Sequence, residues 1–240
     1  PESLKFVAVG GGRVSAQLLA EAQQYAIPAY EGYGLSECAS VVSLNTRAQS
    51  APCTSGKPLP HLRVSICHGE IMVSGNAMLG YAGQPDSWNQ EMIATGDMGS
   101  VDSCGFLTIS GRSKNLLISS FGRNINPEWI EAELVANTVI ADAVVYGDAQ
   151  PHCVALIYPR DTELADAEIQ RTIDQVNAGL PDYARILNWF RLNQPLNSQA
   201  GMLTDNGRPV RAAIAARYKL QLNNLYRQPT TPISLEDNSQ

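Results

Sequence analysis

The segment from Tyr30 to Glu37 carries side chains that together can hold a nucleotide. It reads Tyr-Glu-Gly-Tyr-Gly-Leu-Ser-Glu, so a glycine stands on each side of Tyr33, and Ser36 and Glu37 close the run. Glycine lets the backbone approach a ligand closely. An aromatic ring can stack on a base, a hydroxyl can bond a phosphate oxygen, and a carboxylate can hold Mg²⁺. A strand-to-loop turn with Tyr33 in the core explains the same residues equally well, so the segment alone indicates only a candidate site.

A second candidate carboxylate is Asp97, at the end of a Thr-Gly-Asp stretch. A carboxylate that follows a glycine turn can accept both hydroxyls of a ribose, because its two oxygens match the spacing of a diol. Arg112, fifteen residues further on, offers a second contact to ribose or phosphate. For an isolated Thr-Gly-Asp, an aspartate that only closes its own turn is the better explanation.

The stretch from Gly111 to Glu131 is rich in glycine, asparagine and charged residues. Glu128 and Glu131 fall in the first turns of a predicted helix, where acidic side chains complement the helix dipole. This explanation leaves no catalytic role for either glutamate.

Composition excludes several classes of protein. The 240 residues carry a net charge of -6 and no block of Lys or Arg, which argues against a nucleic-acid or anionic-membrane surface. Apolar residues make up 44%, but no run of them is long enough for a membrane span, and no signal peptide opens the chain. The cysteines are five, scattered and without a CxxC pair. They predict reduced thiols in a cytoplasmic protein.

The elements that must position these residues alternate in an α/β manner. Glycine and proline turns separate the elements of the first half. Strands are predicted at 4–9, 41–44, 62–66, 70–74, 105–109, 116–118, 144–146 and 154–158, and helices at 15–25, 127–136, 166–178 and 210–218.

The pattern of predicted strands and helices changes after Gly111, which indicates two domains. Residues 1–112 form a β-rich half, and residues 113–227 form a small α+β unit. The polar composition of residues 228–240 predicts a disordered tail. The chain starts without Met and runs almost at once into a strand pattern, so we expect Pro1 to be an interior point of a longer protein.

Five ordered motifs together resemble the adenylate-forming superfamily, which includes acyl-CoA synthetases, luciferases and peptide-synthetase adenylation domains. They are GGG before a helix, EGYGLSE, GEIMVSG followed by GY, TGD, and GRSKNLLISSFGRNINPEWIE. The resemblance runs from about Phe6 to about Tyr218. It implies the C-terminal part of the large AMP-binding domain, followed by a small lid domain.

The resemblance assigns the base-binding residues. Gly11, Gly12 and Arg13 match the turn that lines the adenine, although Gly-Arg departs from the usual Gly-Ala-Pro pattern. Tyr33 would stack on the adenine, and Gly34 belongs to the same cofactor-binding motif.

The resemblance also assigns the phosphate, metal and ribose contacts. Ser36, at a position usually held by threonine, would bond the α-phosphate, and Glu37 would hold Mg²⁺. Asp97 and Arg112 would hold the ribose of ATP or AMP.

Three further assignments concern the transfer of an acyl group to a thiol and the movement of the lid domain. Lys114 matches the hinge about which the lid rotates between two half-reactions. Gly122 matches the glycine beside which a pantetheine arm passes. Arg208 occupies the position of the family's catalytic lysine, in GMLTDNGRPVR. Because a planar guanidinium is larger than an ammonium and points differently, this exchange predicts weak or redirected adenylation.

The family's phosphate-cradling loop has no counterpart in the chain, so we expect an N-terminal half to supply it and this piece alone to make no acyl-AMP. The implied reaction of the complete enzyme is ATP-dependent conversion of a carboxylic acid, with a fatty or hydrophobic acid favoured, into a thioester. The acceptor is CoA or the phosphopantetheine of an acyl carrier protein. A non-catalytic nucleotide-binding remnant or interaction module stays open as an alternative. So does a luciferase-like oxidase or a peptide-synthetase domain.

Overall fold

The computed structural model describes residues 4–12 and 14–228, so most of the tail predicted to be disordered lies outside the described residues. Within the described part the chain forms two compact units, the first ending at Leu116 and the second beginning at Leu117. Both units mix strands with helices, and the predicted α/β class is confirmed. Ser113 stays with the first unit because its backbone N–H donates to the Gly96 carbonyl over 2.9 Å.

The described elements are numbered in chain order. The strands are β1 (Val7–Val9), β2 (Ala29–Tyr33), β3 (Ser43–Leu44), β4 (Lys57–Pro58), β5 (Arg63–Cys67), β6 (Glu70–Ser74), β7 (Met92–Val101), β8 (Leu107–Arg112), β9 (Leu117–Ile118), β10 (Asn124–Ile125), β11 (Ile140–Tyr146), β12 (Cys153–Pro159) and β13 (Ile186–Arg191). The helices are α1 (Ala16–Gln24), α2 (Pro127–Val135), α3 (Asp166–Ala178), α4 (Arg211–Arg217) and α5 (Lys219–Arg227).

The first sheet of the first unit has the order β1-β2-β3-β4, and α1 connects its two parallel strands β1 and β2. The helix begins where the sequence predicts, because the Ser15 hydroxyl accepts the backbone N–H of Leu18. Since β1 and β2 are parallel, the loops that follow them leave the same edge of the sheet. In parallel α/β sheets this carboxyl edge is where ligands bind.

The second sheet of the first unit is an antiparallel meander, β5-β6-β7-β8. Alternate residues of β6 are buried, because successive side chains of a strand point to opposite faces of the sheet. Ile71 and Val73 lie in a core cluster against which Tyr33 and Leu35 also pack. The carboxyl end of β2 is therefore held against the second sheet, and this packing positions the candidate site.

The second unit contains the hairpin β9–β10 and a three-stranded sheet, β11-β12-β13. One face of β12 presents Ala155 and Ile157 to the core under α2 and α3, and the other presents Val154 and Leu156 to α4 and α5. Because helices cover both faces, β12 is an almost uninterrupted apolar run.

A buried ion pair joins three elements of this unit. Glu131 of α2 accepts hydrogen bonds from both terminal nitrogens of Arg211, at 2.8 Å and 2.6 Å, and from the backbone N–H of Val145 in β11. Burial raises the pKa of Glu131, and the guanidinium opposes that shift. The sequence predicted that Glu131 only complements the helix dipole. That explanation is incomplete, because Glu131 joins α2 to Arg211 and to β11.

Six strands and helices were not predicted from the sequence, namely β2, β4, β7, β10, β13 and α5. The sequence predicted a turn before Asp97, but the structure has a continuous strand there. Gly96 has φ +71° but lies inside the ten-residue strand β7. A helix follows the predicted last one directly, since α5 starts at Lys219. None of the helices in the described part of the chain has the length and apolarity of a membrane span.

Candidate nucleotide-binding site

Three side chains from three strands meet in the first unit. Asp97 in β7 lies opposite Arg112 in β8 in the antiparallel register, and Arg112 Nε is 2.9 Å from Asp97 Oδ1. Tyr33, the last residue of β2, donates its hydroxyl hydrogen to Asp97 Oδ2 over 2.6 Å. These three predicted binding residues are called the Asp97 cluster below.

The backbone around Asp97 is fixed from both sides. The hydroxyl of Thr95 donates to the carbonyl of Ile71 and accepts the backbone N–H of Asp97. The N–H of Gly96 donates to Glu70 Oε1 over 2.8 Å. These bonds tie β7 to β6 at the position of the carboxylate, so Asp97 is held rigidly by the meander.

In the Asp97 cluster the carboxylate is buried, whereas the arginine is partly exposed to solvent. Asp97 is 4% exposed, whereas the side chain of Arg112 is 42% exposed. Burial, and next the hydrogen bond to Asp97, raise the pKa of Tyr33 above its usual value, so the phenol remains a donor. Each carboxylate oxygen can accept more than one hydrogen bond, so the chemistry of Asp97 is compatible with additional hydroxyl donors.

A tight turn after β2 presents Ser36 and Glu37. Gly34 begins it, and a Cβ at this position would lie 1.4 Å from the carbonyl oxygen of Ser40, so only glycine fits. A short 3₁₀ helix starts at Ser36, and its third residue, Cys38, is buried in the core. The buried cysteine anchors the turn, and the exposed Ser36 and half-buried Glu37 face outward.

Glu37 has a tyrosine partner that the sequence analysis did not assign. Tyr81 donates its hydroxyl hydrogen to Glu37 Oε1 over 2.5 Å. This hydrogen bond is the largest of the causes that lower the pKa of Glu37, followed by a backbone hydrogen bond, with the charge of Arg112 a smaller one. The carboxylate is therefore ionised at neutral pH.

An ionised, partly exposed carboxylate fits a magnesium ion that is shared with a nucleotide. Magnesium prefers oxygen ligands and is often bound by one or two carboxylates together with substrate phosphates and waters. Glu37 supplies such a carboxylate. Among residues 4–12 and 14–228, no group of three or more His, Cys, Asp and Glu side chains is placed to hold a metal by itself.

The glycine loop after β1 leaves the same sheet edge as the turn after β2. Gly11 has φ +82°, and both Gly11 and Gly12 are exposed with open space where a Cβ would stand. The N–H of Val14 reaches Glu31 Oε1 in β2 at 3.4 Å. Arg13, predicted to line the adenine, lies outside the described residues.

Three further predicted residues, Lys114, Gly122 and Arg208, lie in exposed turns. Lys114 is exposed in the turn that follows β8. Gly122, with φ +73°, lies in the β9–β10 turn of the second unit, where its N–H donates to the Ser119 carbonyl. Arg208 is exposed in another turn of the second unit, and its backbone exchanges hydrogen bonds with Thr204 in both directions.

Sequence reasoning missed Tyr81, Thr95 and Glu70 as parts of the site. A signal for Tyr81 was present, because the Gly-Tyr pair is one of the ordered motifs, but nothing in the sequence connects it with a residue 44 positions earlier. Thr95 and Glu70 act through β7–β6 pairing, which required the strand β7 to be known.

Comparison with known proteins identifies one enzyme family and several similar enzymes. The family described as "AMP-binding enzyme C-terminal domain" matches residues 114–230. The long-chain-fatty-acid–CoA ligase FadD15 of Mycobacterium bovis is 35% identical over 181 residues, covering 73% of this chain and 30% of the relative. The 2-succinylbenzoate–CoA ligase of Bacillus velezensis is 36% identical over 168 residues, covering 63% of this chain and 34% of the relative.

Solved structures give the same result. The o-succinylbenzoate CoA synthetase MenE of Bacillus subtilis, in complex with AMP, is similar with a TM-score of 0.68 at 27% identity, over 87% of this chain and 47% of that one. The same enzyme with ATP and a magnesium ion gives 0.68 at 28% identity, over 83% of this chain and 45% of that one. The chain spans less than half the length of each of these proteins.

Proposed function

Because this chain belongs to the adenylate-forming enzymes, matching the C-terminal part of their acyl-CoA ligases, we propose that the complete protein activates a carboxylic acid with ATP. In the first step a carboxylate oxygen of the acid bonds to the α-phosphorus of ATP, giving acyl-AMP and releasing pyrophosphate. In the second step a thiol sulfur bonds to the acyl carbon, giving a thioester and AMP, and the thiol proton is released.

The Asp97 cluster is the observation that carries this proposal. Asp97 accepts the ribose hydroxyls, and Arg112 holds the carboxylate in place while its exposed part contacts ribose or phosphate. Tyr33 adds its ring to the base and its hydroxyl to the carboxylate. Such prearranged contacts orient the nucleotide before the chemistry begins, so less entropy is lost at the reaction step.

Ser36 and Glu37 serve the phosphates. The exposed hydroxyl of Ser36 donates to an α-phosphate oxygen, and Glu37 binds magnesium. When bound, the ion neutralises charge on the phosphate oxygens as the acid approaches. Gly11 and Gly12 line the adenine at the carboxyl edge of the first sheet, and the family resemblance assigns the same role to Arg13.

Arg208 supplies the positive charge that lysine supplies elsewhere in the family. Its turn is held by two hydrogen bonds to Thr204: the Thr204 N–H donates to the Arg208 carbonyl, and the Arg208 N–H donates to Thr204 Oγ1. The position of the backbone is therefore defined, while the side chain is exposed. We expect Arg208→Lys to raise the adenylation rate of the complete protein, by up to on the order of 10²–10³, because an ammonium concentrates its charge at one point. An unchanged rate would show that the guanidinium performs the same task.

The thiol step involves Lys114 and Gly122. Lys114 is the hinge residue of the lid, and Gly122 leaves room for a pantetheine arm at the β9–β10 turn. CoA is the favoured acceptor, because the relatives named above are CoA ligases. A carrier-protein phosphopantetheine offers the same thiol.

The acid substrate is fatty or otherwise hydrophobic. The similarity to a long-chain-fatty-acid–CoA ligase supports this choice. The comparable similarity to 2-succinylbenzoate–CoA ligases makes an aromatic dicarboxylic acid the second candidate.

Carboxylate-dependent ATP–pyrophosphate exchange by the full-length native protein tests the function. Separate reactions contain short, long-chain and aromatic acids, and the 240-residue chain alone serves as a control that we expect to be inactive. Exchange with the long-chain acids alone would establish fatty-acid activation, and exchange with the aromatic acids alone would move the protein to the second substrate class.

A non-catalytic nucleotide-binding protein is the second candidate function. The observation that favours it is Arg208 at the lysine position. A full-length protein that binds AMP but exchanges pyrophosphate with no acid would select this candidate.

A further inference from the structure

A loop of the first unit, residues 78–89, is attached to Glu37 by two hydrogen bonds. The backbone N–H of Met78 donates to the Glu37 carbonyl over 2.8 Å. The hydroxyl of Tyr81 donates to the Glu37 carboxylate over 2.5 Å. The sequence predicted that Glu37 would hold a metal, but it gave no account of what orients the carboxylate.

Contacts within the loop hold Tyr81 in place even though its side chain is 43% exposed. Its backbone N–H donates to Ser87 Oγ over 2.8 Å, and its carbonyl accepts the indole N–H of Trp88 over 2.9 Å. Gly80 precedes it with φ +149°, and a Cβ there would lie 2.6 Å from the Trp88 ring. The loop therefore packs the indole against its own backbone and fixes the direction from which the phenol approaches Glu37.

We propose that Tyr81 is a positioning residue that orients the Glu37 carboxylate for magnesium. The hydrogen bond engages Oε1 and restricts rotation of the carboxylate, so that Oε2 is offered to the ion in one orientation. This inference rests on the proposed function, because it takes Glu37 as the magnesium ligand of a bound nucleotide.

The chemistry of the ion explains why orientation matters. Magnesium requires nearly ideal octahedral geometry, and a ligand that must first be ordered binds it more weakly. Partners that orient a metal ligand through a hydrogen bond are commonly worth 10–100-fold in metal affinity or activity. A short hydrogen bond to an ionised oxygen is among the stronger kinds.

The experiment measures ATP binding to the full-length protein without any acid, so no turnover occurs. The free Mg²⁺ concentration that half-saturates tight ATP binding is determined by calorimetry for the wild type and for Tyr81→Phe. We expect this concentration to rise about tenfold in Tyr81→Phe. AMP affinity in EDTA and the melting temperature should stay unchanged, which a merely structural role of Tyr81 would not give.

Two further variants provide controls. Tyr25→Phe removes the same hydroxyl from a tyrosine that is 74% exposed, and it should leave every value unchanged. Trp88→Phe removes the donor to the Tyr81 carbonyl and should raise the half-saturating Mg²⁺ concentration by about threefold, since the phenol keeps its hydroxyl but loses part of its support.

Glu37→Gln distinguishes the role of Glu37 as a magnesium ligand from the positioning role of Tyr81. If Glu37→Gln weakens the response to Mg²⁺ and Tyr81→Phe does not, the positioning role of Tyr81 is wrong and the proposed function stands. If Glu37→Gln also leaves the response unchanged, Glu37 is not the magnesium ligand, and that part of the proposed function fails together with this inference.

Discussion

The two units each contain a buried carboxylate paired with an arginine, but the pairs differ in how much of the arginine is enclosed. In the second unit, Glu131 and Arg211 meet through both terminal nitrogens, and their side chains are 11% and 17% exposed. In the first unit, Asp97 meets Arg112 through Nε, and the arginine side chain is 42% exposed.

The difference supports a structural role for the pair in the second unit and the proposed binding role for the pair in the first. Arg211 also donates to the Val145 carbonyl, and Glu131 also accepts the Val145 N–H, so the second unit's pair is satisfied within the protein. Asp97 instead lies between a tyrosine hydroxyl and an arginine that reaches solvent, at the carboxyl edge of a parallel strand pair. An enclosed pair joins elements of the fold, and an open pair can receive a ligand.

The largest expected effect comes from removing one member of the enclosed pair. Arg211→Met leaves the Glu131 carboxylate buried without its cation, and we expect the free energy of unfolding to fall by about 3–5 kcal/mol. Urea unfolding of the chain measures this change. Arg171→Met is the matched control, because Arg171 is 71% exposed and lies 3.7 Å from Glu168, so it should change stability by less than about 0.5 kcal/mol. Equal effects of the two substitutions would contradict the structural role of Arg211.

The same variant should depend on pH in a defined direction. Burial raises the pKa of Glu131, and in Arg211→Met the opposing charge is gone, so the pKa rises further. The folded carboxyl then binds its proton more tightly than the unfolded one, and stability falls as the pH rises from the unfolded value through the folded one. We expect the loss of stability in Arg211→Met to be smaller at about pH 5 than at about pH 8. A loss that grows on acidification would contradict this account of the pair.

Removing the charge of the open pair should affect binding more than folding. Asp97→Asn keeps the shape but weakens the bonds to Arg112 and to the ribose, and we expect AMP to bind about 100-fold more weakly to the full-length protein. Calorimetric titration checks this, with the exposed Asp174→Asn as a charge-matched control. A variant that unfolds readily but keeps its AMP affinity would place Asp97 with the structural pair instead.

The smallest expected effect concerns the Tyr33 hydroxyl, which donates to Asp97 of the open pair. Tyr33→Phe keeps the ring for the base but removes the hydroxyl that holds Asp97, so AMP affinity should fall about fivefold. An AMP analogue that lacks both ribose hydroxyls should bind equally well to the wild type and the variant. An equal loss for AMP and the analogue would mean that the hydroxyl serves the base and not the ribose-binding carboxylate.

Local signals in the sequence were sufficient for several elements of the fold. The N-cap Ser15 and Pro127 at the start of α2 each act within a few residues, and both predicted helices are present. The strand β7 was missed because Gly96 and Asp97 interrupt its pattern with residues typical of turns. Helix α5 was missed because only its two buried leucines, Leu222 and Leu225, mark its inner face.

Contacts between residues far apart in the sequence could not be predicted, and the reason is physical. Glu131 and Arg211 are 80 positions apart, and Glu37 and Tyr81 are 44 apart, so only the packing of complete elements brings them together. The resemblance to a family assigned Tyr33, Asp97 and Arg112 to one nucleotide site, and the structure places Tyr33 and Arg112 in contact with the Asp97 carboxylate.

A structure of the full-length protein with AMP bound tests the central claim most directly. We predict the ribose hydroxyls within about 3 Å of the Asp97 carboxylate, with Arg112 beside them and the Tyr33 ring against the adenine. AMP bound elsewhere, or with its ribose turned away from Asp97, would contradict the assignment of the Asp97 cluster as the nucleotide-binding site.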